Sequence, residues 1–175
     1  WATFHFADIA HRRSGGQAVF GNVGAVYSGS PDDRALNAGV ARFAADARAV
    51  ARFAHDTDPN GRIPVPVLTV HAVDDPVAFV ELEHEFQRTM RAAGRSDQLV
   101  QTFTSDREHS YLADPVYPTL IEAVLRWVDG GTKPTPQGIT ERCLQMQAAW
   151  GPGCRFLPDY AVAPLDARVA PRLRP

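Results

Sequence analysis

The apolar positions of the chain form two short continuous runs separated by a segment with helical spacing. Residues 66–72 (PVLTVHA) read as a strand buried on both faces of a parallel sheet, and residues 98–103 (QLVQTF) as a second strand. Between them, residues 79–93 carry apolar side chains every three or four positions, and Gly94 follows as a helix stop. A strand, a helix and a strand in this order predict a parallel sheet with a crossover helix.

Helical spacing also predicts three further helices around these strands. The first begins at Pro31, Asp32 and Asp33 and continues unbroken to residue 54, and its apolar positions are Leu36, Val40, Phe43, Ala47, Val50 and Ala54. The second begins near Pro118 and stops at residues 130–131, both glycine. Residues 139–150 form the third. For the aromatic-rich residues 1–9 the pattern leaves a strand and an amphipathic turn equally open.

Polar residues that can carry acid–base chemistry follow both predicted strands. Asp74 and Asp75 come after the first strand, and His109 lies in the polar loop after the second. The carboxyl ends of strands in open α/β sheets are where ligands and catalytic groups collect. A carboxylate that fixes an imidazole lets the imidazole take and return a proton. The structural alternatives are a helix cap for the aspartates and a solvated surface position for the histidine.

The order strand, acid, helix, strand, histidine loop and helix resembles the C-terminal part of the α/β-hydrolase fold. The segment VLTVHAVDDPVAFVE is similar to the acid-bearing segment of that family, REHSYL to its histidine loop, and RWVDGGTKPTP to the closing helix of its secreted or periplasmic ester hydrolases. The resemblance covers residues 22–136. It implies that Asp75 is the acid, with Asp74 as the alternative, and that His109 is the base.

The resemblance implies three regions in an α/β chain of parallel strands with flanking helices. Residues 1–33 are expected to be an irregular lid or substrate-side segment, and residues 34–131 to be the C-terminal α/β-hydrolase core. Residues 132–175 are expected to be an extension with a proline-rich tail. This tail cannot pack on itself, so we expect it to lie extended over the core, anchored by Phe156, Leu157 and Tyr160.

The nucleophile of such an enzyme has no counterpart in this sequence. None of the serines has glycine two positions before and two positions after it, as the G-x-S-x-G turn requires. Ser28 and Ser30 come nearest, but a turn before Pro31 is the simpler interpretation. The segment that would form an oxyanion hole is missing as well. We therefore expect the partner of this chain to be a nucleophile-bearing N-terminal segment or chain of the same precursor, and the start at Trp1 agrees with processing of a longer protein.

The composition narrows the class of protein and of partner. With 45% hydrophobic and 22% charged residues, the 175-residue chain has the make-up of a soluble globular domain. The net charge of −2 and the scattered arginines argue against nucleic acid as a partner, and no apolar run approaches a membrane span. His5, His11 and Asp8 lie close in sequence but lack a second carboxylate, so we expect no metal site.

Cys143 and Cys154 are the two cysteines of the chain. Their separation and the intervening glycines and proline favour a short-loop disulfide over two reduced thiols, and a disulfide predicts a secreted or periplasmic protein. The resulting hypothesis is the acid- and base-bearing portion of a serine hydrolase that cleaves small-molecule carboxylic esters without a cofactor. A peptidase or amidase of the same fold and a non-catalytic binding subunit are the alternatives.

Overall fold

The computed structural model of the protein describes residues 2–110 and 112–169. This part of the chain is mixed α/β, with six α-helices and one two-stranded parallel sheet. The helices are α1 (Ala2–Asp8), α2 (Asp33–Gly39), α3 (Ala47–Thr57), α4 (Leu82–Ala92), α5 (Val116–Gly130) and α6 (Pro136–Trp150). The strands are β1 (Val67–Ala72) and β2 (Leu99–Thr104), which confirms the predicted strand, helix and strand.

Contacts divide the chain into two compact units. The first contains α1 to α3, up to Asp58, together with Val169, and the second runs from Pro59 to Arg168. Both strands and the candidate acid and base lie in the second unit, which we call the α/β unit. The three regions expected from the sequence follow the organisation of the α/β-hydrolase fold, and that division of the chain stays a prediction.

The long helix predicted to continue from residue 33 to residue 54 is wrong, because residues 40–46 interrupt it. Helix α2 ends at Gly39, Val40 is extended, and the side chain of Asp46 accepts a hydrogen bond from Ala49 N to start α3. Asn22 competes for the intervening backbone: Asn22 N donates to Phe43 O (2.9 Å), and Phe43 N donates to Asn22 Oδ1 (2.7 Å). These long-range hydrogen bonds replace helical ones, which the apolar spacing could not reveal.

The first unit begins with two consecutive helical segments. The aromatic-rich segment forms α1, followed by a π-helical turn at Ile9–Arg13. Phe6, Phe20 and Phe53 form a row of edge-to-face rings with centroids 6.1 and 6.2 Å apart. The helix settles the choice that the sequence left open between a strand and a turn.

The α/β unit has three layers. Strands β1 and β2 pair in parallel from Val67 opposite Leu99 to Ala72 opposite Thr104. The main core lies between one face of this sheet and α5 and α6, and its buried members are Val100, Val116, Trp127, Ile139, Cys143 and Phe156. Helix α4 contacts β2. Hydrogen bonds from Thr69 and Gln101 to Glu83 of α4 show that these two side chains face the opposite side of the sheet.

The two edges of the sheet differ. At β2, the tail crosses the end of the strand: Thr104 forms an antiparallel bridge with Phe156, and Leu157 N donates to Phe103 O (2.8 Å). The Tyr160 ring packs 4.9 Å from the Phe103 ring, which confirms the predicted anchors of the tail. Residues 170–175 of the predicted tail lie outside the described residues. Within the described ranges, β2 is the only strand that pairs with β1, so the other edge of β1 is open.

Two further boundaries follow local sequence signals. Gly131 is left-handed (φ 69°) and ends α5, as predicted, and the side chain of Thr135 caps α6 by accepting a hydrogen bond from Gly138 N. Helix α6 therefore starts at Pro136, three residues before the predicted start at residue 139. None of the helices in the described ranges has the length and apolar character of a membrane span.

Candidate active site

The turn after β1 holds Asp75 in a fixed orientation. Asp75 N donates to Ala72 O (3.1 Å), which folds the chain back at the end of the strand. Asp75 Oδ1 accepts hydrogen bonds from Val77 N (2.7 Å) and Ala78 N (2.9 Å), so the carboxylate is bound by its own loop. This pattern is a local aspartate turn, and it leaves Oδ2 for a partner from elsewhere.

That partner is His109. Nδ1 of His109 lies 2.8 Å from Asp75 Oδ2, although the residues are 34 positions apart in sequence. The contact arises because β1 and β2 end side by side, at Ala72 and Thr104, and Val73 N donates to Thr104 O (2.9 Å) just beyond the pairing. The structure thus brings together the acid and the base that the resemblance singled out.

The environment of Asp75 favours its ionised form. Burial of the carboxyl opposes ionisation, but the hydrogen bonds from Ala78 N, the His109 ring and Val77 N outweigh it and lower the pKa of Asp75 to about 2. Its side chain is 7% exposed, whereas that of His109 is 46% exposed. A buried carboxylate thus accompanies an imidazole that solvent or a substrate can reach.

Asp74, the alternative acid, is placed differently. Its side chain is 59% exposed, and its Oδ2 lies 3.6 Å from Arg107 Nε. It makes no hydrogen bond to His109 within the described residues. The geometry therefore selects Asp75 over Asp74 as the carboxylate that can orient the imidazole.

A polar network behind the turn was not found from the sequence. His71 Nε2 lies 3.1 Å from Ala78 O, and its Nδ1 lies 3.4 Å from Glu83 Oε1. Glu83 Oε2 also accepts from Thr69 Oγ1 (2.9 Å) and Gln101 Nε2 (2.6 Å). His71 is therefore a packed histidine with partners on both nitrogens. It contacts the carbonyl oxygen of Ala78, the residue whose N–H binds Asp75.

No hydrogen bond joins the His109 ring to a serine within the described ranges. Ser30, one of the nearest imitations of the motif, donates its hydroxyl to Asp33 Oδ1 (2.7 Å), so it serves the turn before α2. In the described ranges, the only hydrogen bond of the His109 ring is the one to Asp75. Nε2 of His109 can thus accept a proton from a group that this part of the chain does not supply.

The predicted disulfide is present between Cys143 of α6 and Cys154 of the tail, with their Cα atoms 5.9 Å apart. Residues 2–110 and 112–169 contain no group of three or more His, Cys, Asp or Glu side chains that could hold a metal ion. Comparison with protein-family models, with curated protein sequences and with solved structures finds no match to this chain. The α/β-hydrolase resemblance therefore stays a hypothesis that rests on the residues themselves.

Proposed function

We propose that this chain is the acid- and base-bearing portion of a serine hydrolase that cleaves carboxylic esters. The observation that carries the proposal is the 2.8 Å contact between His109 Nδ1 and Asp75 Oδ2 beyond the carboxyl ends of adjoining parallel strands. An exposed imidazole on a buried, ionised carboxylate is the arrangement that general-base catalysis of acyl transfer requires. The fixed Asp75 turn supports this role, because the carboxylate needs no rearrangement to hold the ring.

In the proposed reaction, Asp75 accepts a hydrogen bond from Nδ1–H of His109 and so fixes the tautomer that carries its lone pair on Nε2. This nitrogen takes the proton of a serine hydroxyl on the missing segment as the serine oxygen attacks the ester carbonyl carbon. The imidazolium then protonates the leaving alcohol as the carbon–oxygen bond of the ester breaks. In the second half, Nε2 takes a proton from water, the resulting hydroxide attacks the acyl-serine, and the serine leaves with that proton. The cycle uses no cofactor.

The open edge of β1 supports a partner that completes the sheet. Val67 and Leu68 of β1 are only partly buried, whereas their β2 counterparts Leu99 and Val100 are buried. Apolar side chains also remain exposed on α5, at Ile121, Leu125 and Val128. We expect further protein to pack against both features, because parallel strands are normally paired and buried and an apolar helix face is normally buried. We infer a tight complex with the nucleophile-bearing segment of the same precursor, burying more than about 2,000 Å² in total.

The substrate pocket is also proposed to depend on that segment. One cavity of about 330 Å³ is lined by residues such as Arg91, Gln101 and Tyr160, and a groove of about 850 Å³ by Ile121, Leu125 and Trp150. Neither is lined by Asp75 or His109. The acyl and alcohol groups of the ester would then be bound mainly by the missing segment, so cleavage of an amide or peptide by the same residues is the close alternative.

A serine-reactive fluorophosphonate probe tests the proposal on the whole protein that the gene encodes. We expect the label on a serine outside residues 1–175, and we expect His109→Ala to reduce the labelling rate by orders of magnitude. Labelling that is absent from the intact protein would instead favour a non-catalytic binding subunit. The disulfide supports a secreted or periplasmic location, and non-reducing mass spectrometry of protein purified without reductant should find Cys143 joined to Cys154.

A further inference from the structure

Three consecutive residues of the tail, 155–157, bind the end of β2 and the first residue of the histidine loop, and the residue before them is bonded to α6. Cys154 is joined to α6 by the disulfide. Ser105 N donates to Arg155 O (2.9 Å), Phe156 forms the bridge with Thr104, and Leu157 N donates to Phe103 O. We call residues 154–157 the strap. It lies along the end of β2 where the chain leaves the sheet towards His109.

An ion pair between an exposed arginine and a buried carboxylate adds a side-chain contact to the strap. Arg155 Nη1 lies 3.1 Å from Asp106 Oδ1, and the side chain of Asp106 is 7% exposed, whereas that of Arg155 is 60% exposed. The other carboxylate oxygen, Oδ2, is buried and has no hydrogen-bond partner among the described residues. A buried carboxylate is costly unless a cation compensates it, so the position of Asp106 depends strongly on Arg155.

The strap is itself firmly held. Its first residue is bonded to Cys143, which is fully buried in the core. Gln147 Oε1 of α6 accepts hydrogen bonds from Gly153 N (2.8 Å) and Cys154 N (3.0 Å). Arg155 therefore extends from a segment whose backbone is hydrogen-bonded to α6 and whose preceding residue, Cys154, is covalently bonded to α6.

The loop beyond Asp106 has few attachments of its own. Residues 107–110 are exposed, and Ser110 has a left-handed backbone (φ 60°), which costs free energy for a residue other than glycine. Among the described residues, the His109 ring is held by Asp75 alone. Besides the exposed contact of Arg107 with Asp74 (3.6 Å), the attachment of the loop on the N-terminal side of His109 lies at its root, where Asp106 pairs with Arg155.

We propose that Asp106 and Arg155 are positioning residues for His109: their ion pair fixes the root of the histidine loop to the disulfide-anchored strap and keeps the imidazole on Asp75. The expected effect on catalysis rests on the proposed function, whereas the expected effect on the position of the His109 ring does not. Neither residue contacts the reacting atoms in this scheme. Their effect is transmitted through the backbone of residues 106–109.

The test uses the whole protein with ¹⁵N-labelled histidine. Nitrogen chemical shifts report whether the His109 ring keeps its proton on Nδ1, as the contact with Asp75 requires. We expect Arg155→Met and Asp106→Asn to lose this fixed tautomer, and Arg155→Lys to retain much of it. Asp106→Asn also avoids leaving an unpaired buried charge, so it stays informative if Arg155→Met folds poorly.

Arg142→Met is the matched control, because it breaks an arginine–carboxylate pair of the same unit, Arg142 Nη2 to Glu122 Oε2 (2.7 Å), between α5 and α6. We expect this variant to leave the His109 tautomer unchanged. An unchanged tautomer in both Arg155→Met and Asp106→Asn would overturn the positioning role.

Ester turnover separates this inference from the proposed function. We expect Asp106→Asn to lower kcat about 10- to 100-fold with little change in KM, as misplacement of a catalytic group does. If His109→Ala itself leaves turnover unchanged, the proposed function fails, while the nitrogen shifts still decide whether the ion pair positions the ring.

Discussion

Asp75 binds its own loop with one carboxylate oxygen and His109 with the other. Oδ1 accepts from Val77 N and Ala78 N, and Oδ2 lies 2.8 Å from His109 Nδ1. The hydrogen bonds to Oδ1 fix the orientation of the carboxylate, and they therefore also fix the position from which Oδ2 contacts His109. Asp74, one position earlier, has no such loop contacts and lies in solvent beside Arg107.

The first prediction uses this contrast between adjacent aspartates. Asp75→Asn should lower ester turnover of the complete enzyme by about 10³- to 10⁴-fold, because an amide neither stabilises the imidazolium nor enforces the required tautomer. Asp74→Asn makes the same chemical change at an exposed position and should leave kcat within a few-fold of wild type. Steady-state kinetics measures both, and similar losses in the two variants would contradict the assignment of Asp75.

The second prediction concerns acid. Because the pKa of Asp75 is lowered to about 2 in the folded protein, ionised Asp75 adds stability above its unfolded pKa near 4, and this contribution is lost as the pH falls towards 2. This contribution amounts to about 2.5 kcal/mol at most. Denaturant unfolding of the complete protein at pH 5 and pH 2.5 should show a smaller loss of stability for Asp75→Asn than for wild type. Equal losses would refute the lowered pKa.

The third prediction concerns the network behind the turn. Glu83→Ala leaves the polar groups of Thr69, His71 and Gln101 without their shared partner, and should lower the free energy of unfolding by about 2–3 kcal/mol. Glu85→Ala removes partly exposed pairs with Arg88 and His84 and should cost less than about 1 kcal/mol. Thermal or denaturant unfolding compares the two, and equal effects would show that the network contributes no more than a surface pair.

The fourth prediction concerns completeness. The open edge of β1 and the exposed apolar stripe of α5 imply that residues 1–175 alone are poorly packed. Near-ultraviolet circular dichroism of the isolated chain should be weak and its thermal unfolding broad, and co-expression with the nucleophile-bearing segment should restore both. A well-packed monomer that unfolds sharply would rule out the proposed tight complex with the nucleophile-bearing segment.

The sequence alone determined the elements that depend on local patterns. The apolar runs identified both strands, helical spacing with Gly94 and Gly131 identified α4 and α5, and the short separation of Cys143 and Cys154 identified the disulfide. These predictions succeed because the spacing of apolar residues, the glycines that end helices and a short disulfide loop each involve residues close in sequence. The interruption between α2 and α3 was missed because Asn22, some twenty residues away, binds the backbone there.

Only the tertiary structure decided which carboxylate meets the histidine and what holds the loop. The strand pattern does not distinguish Asp74 from Asp75, and the resemblance only placed Asp75 first; in the structure the chain after β1 turns Asp75 towards His109 and leaves Asp74 exposed. The Asp106–Arg155 pair joins positions 49 apart, and Glu83 collects partners from both strands. Such contacts depend on how the parallel strands align and on where the disulfide carries the tail, and no local propensity encodes either.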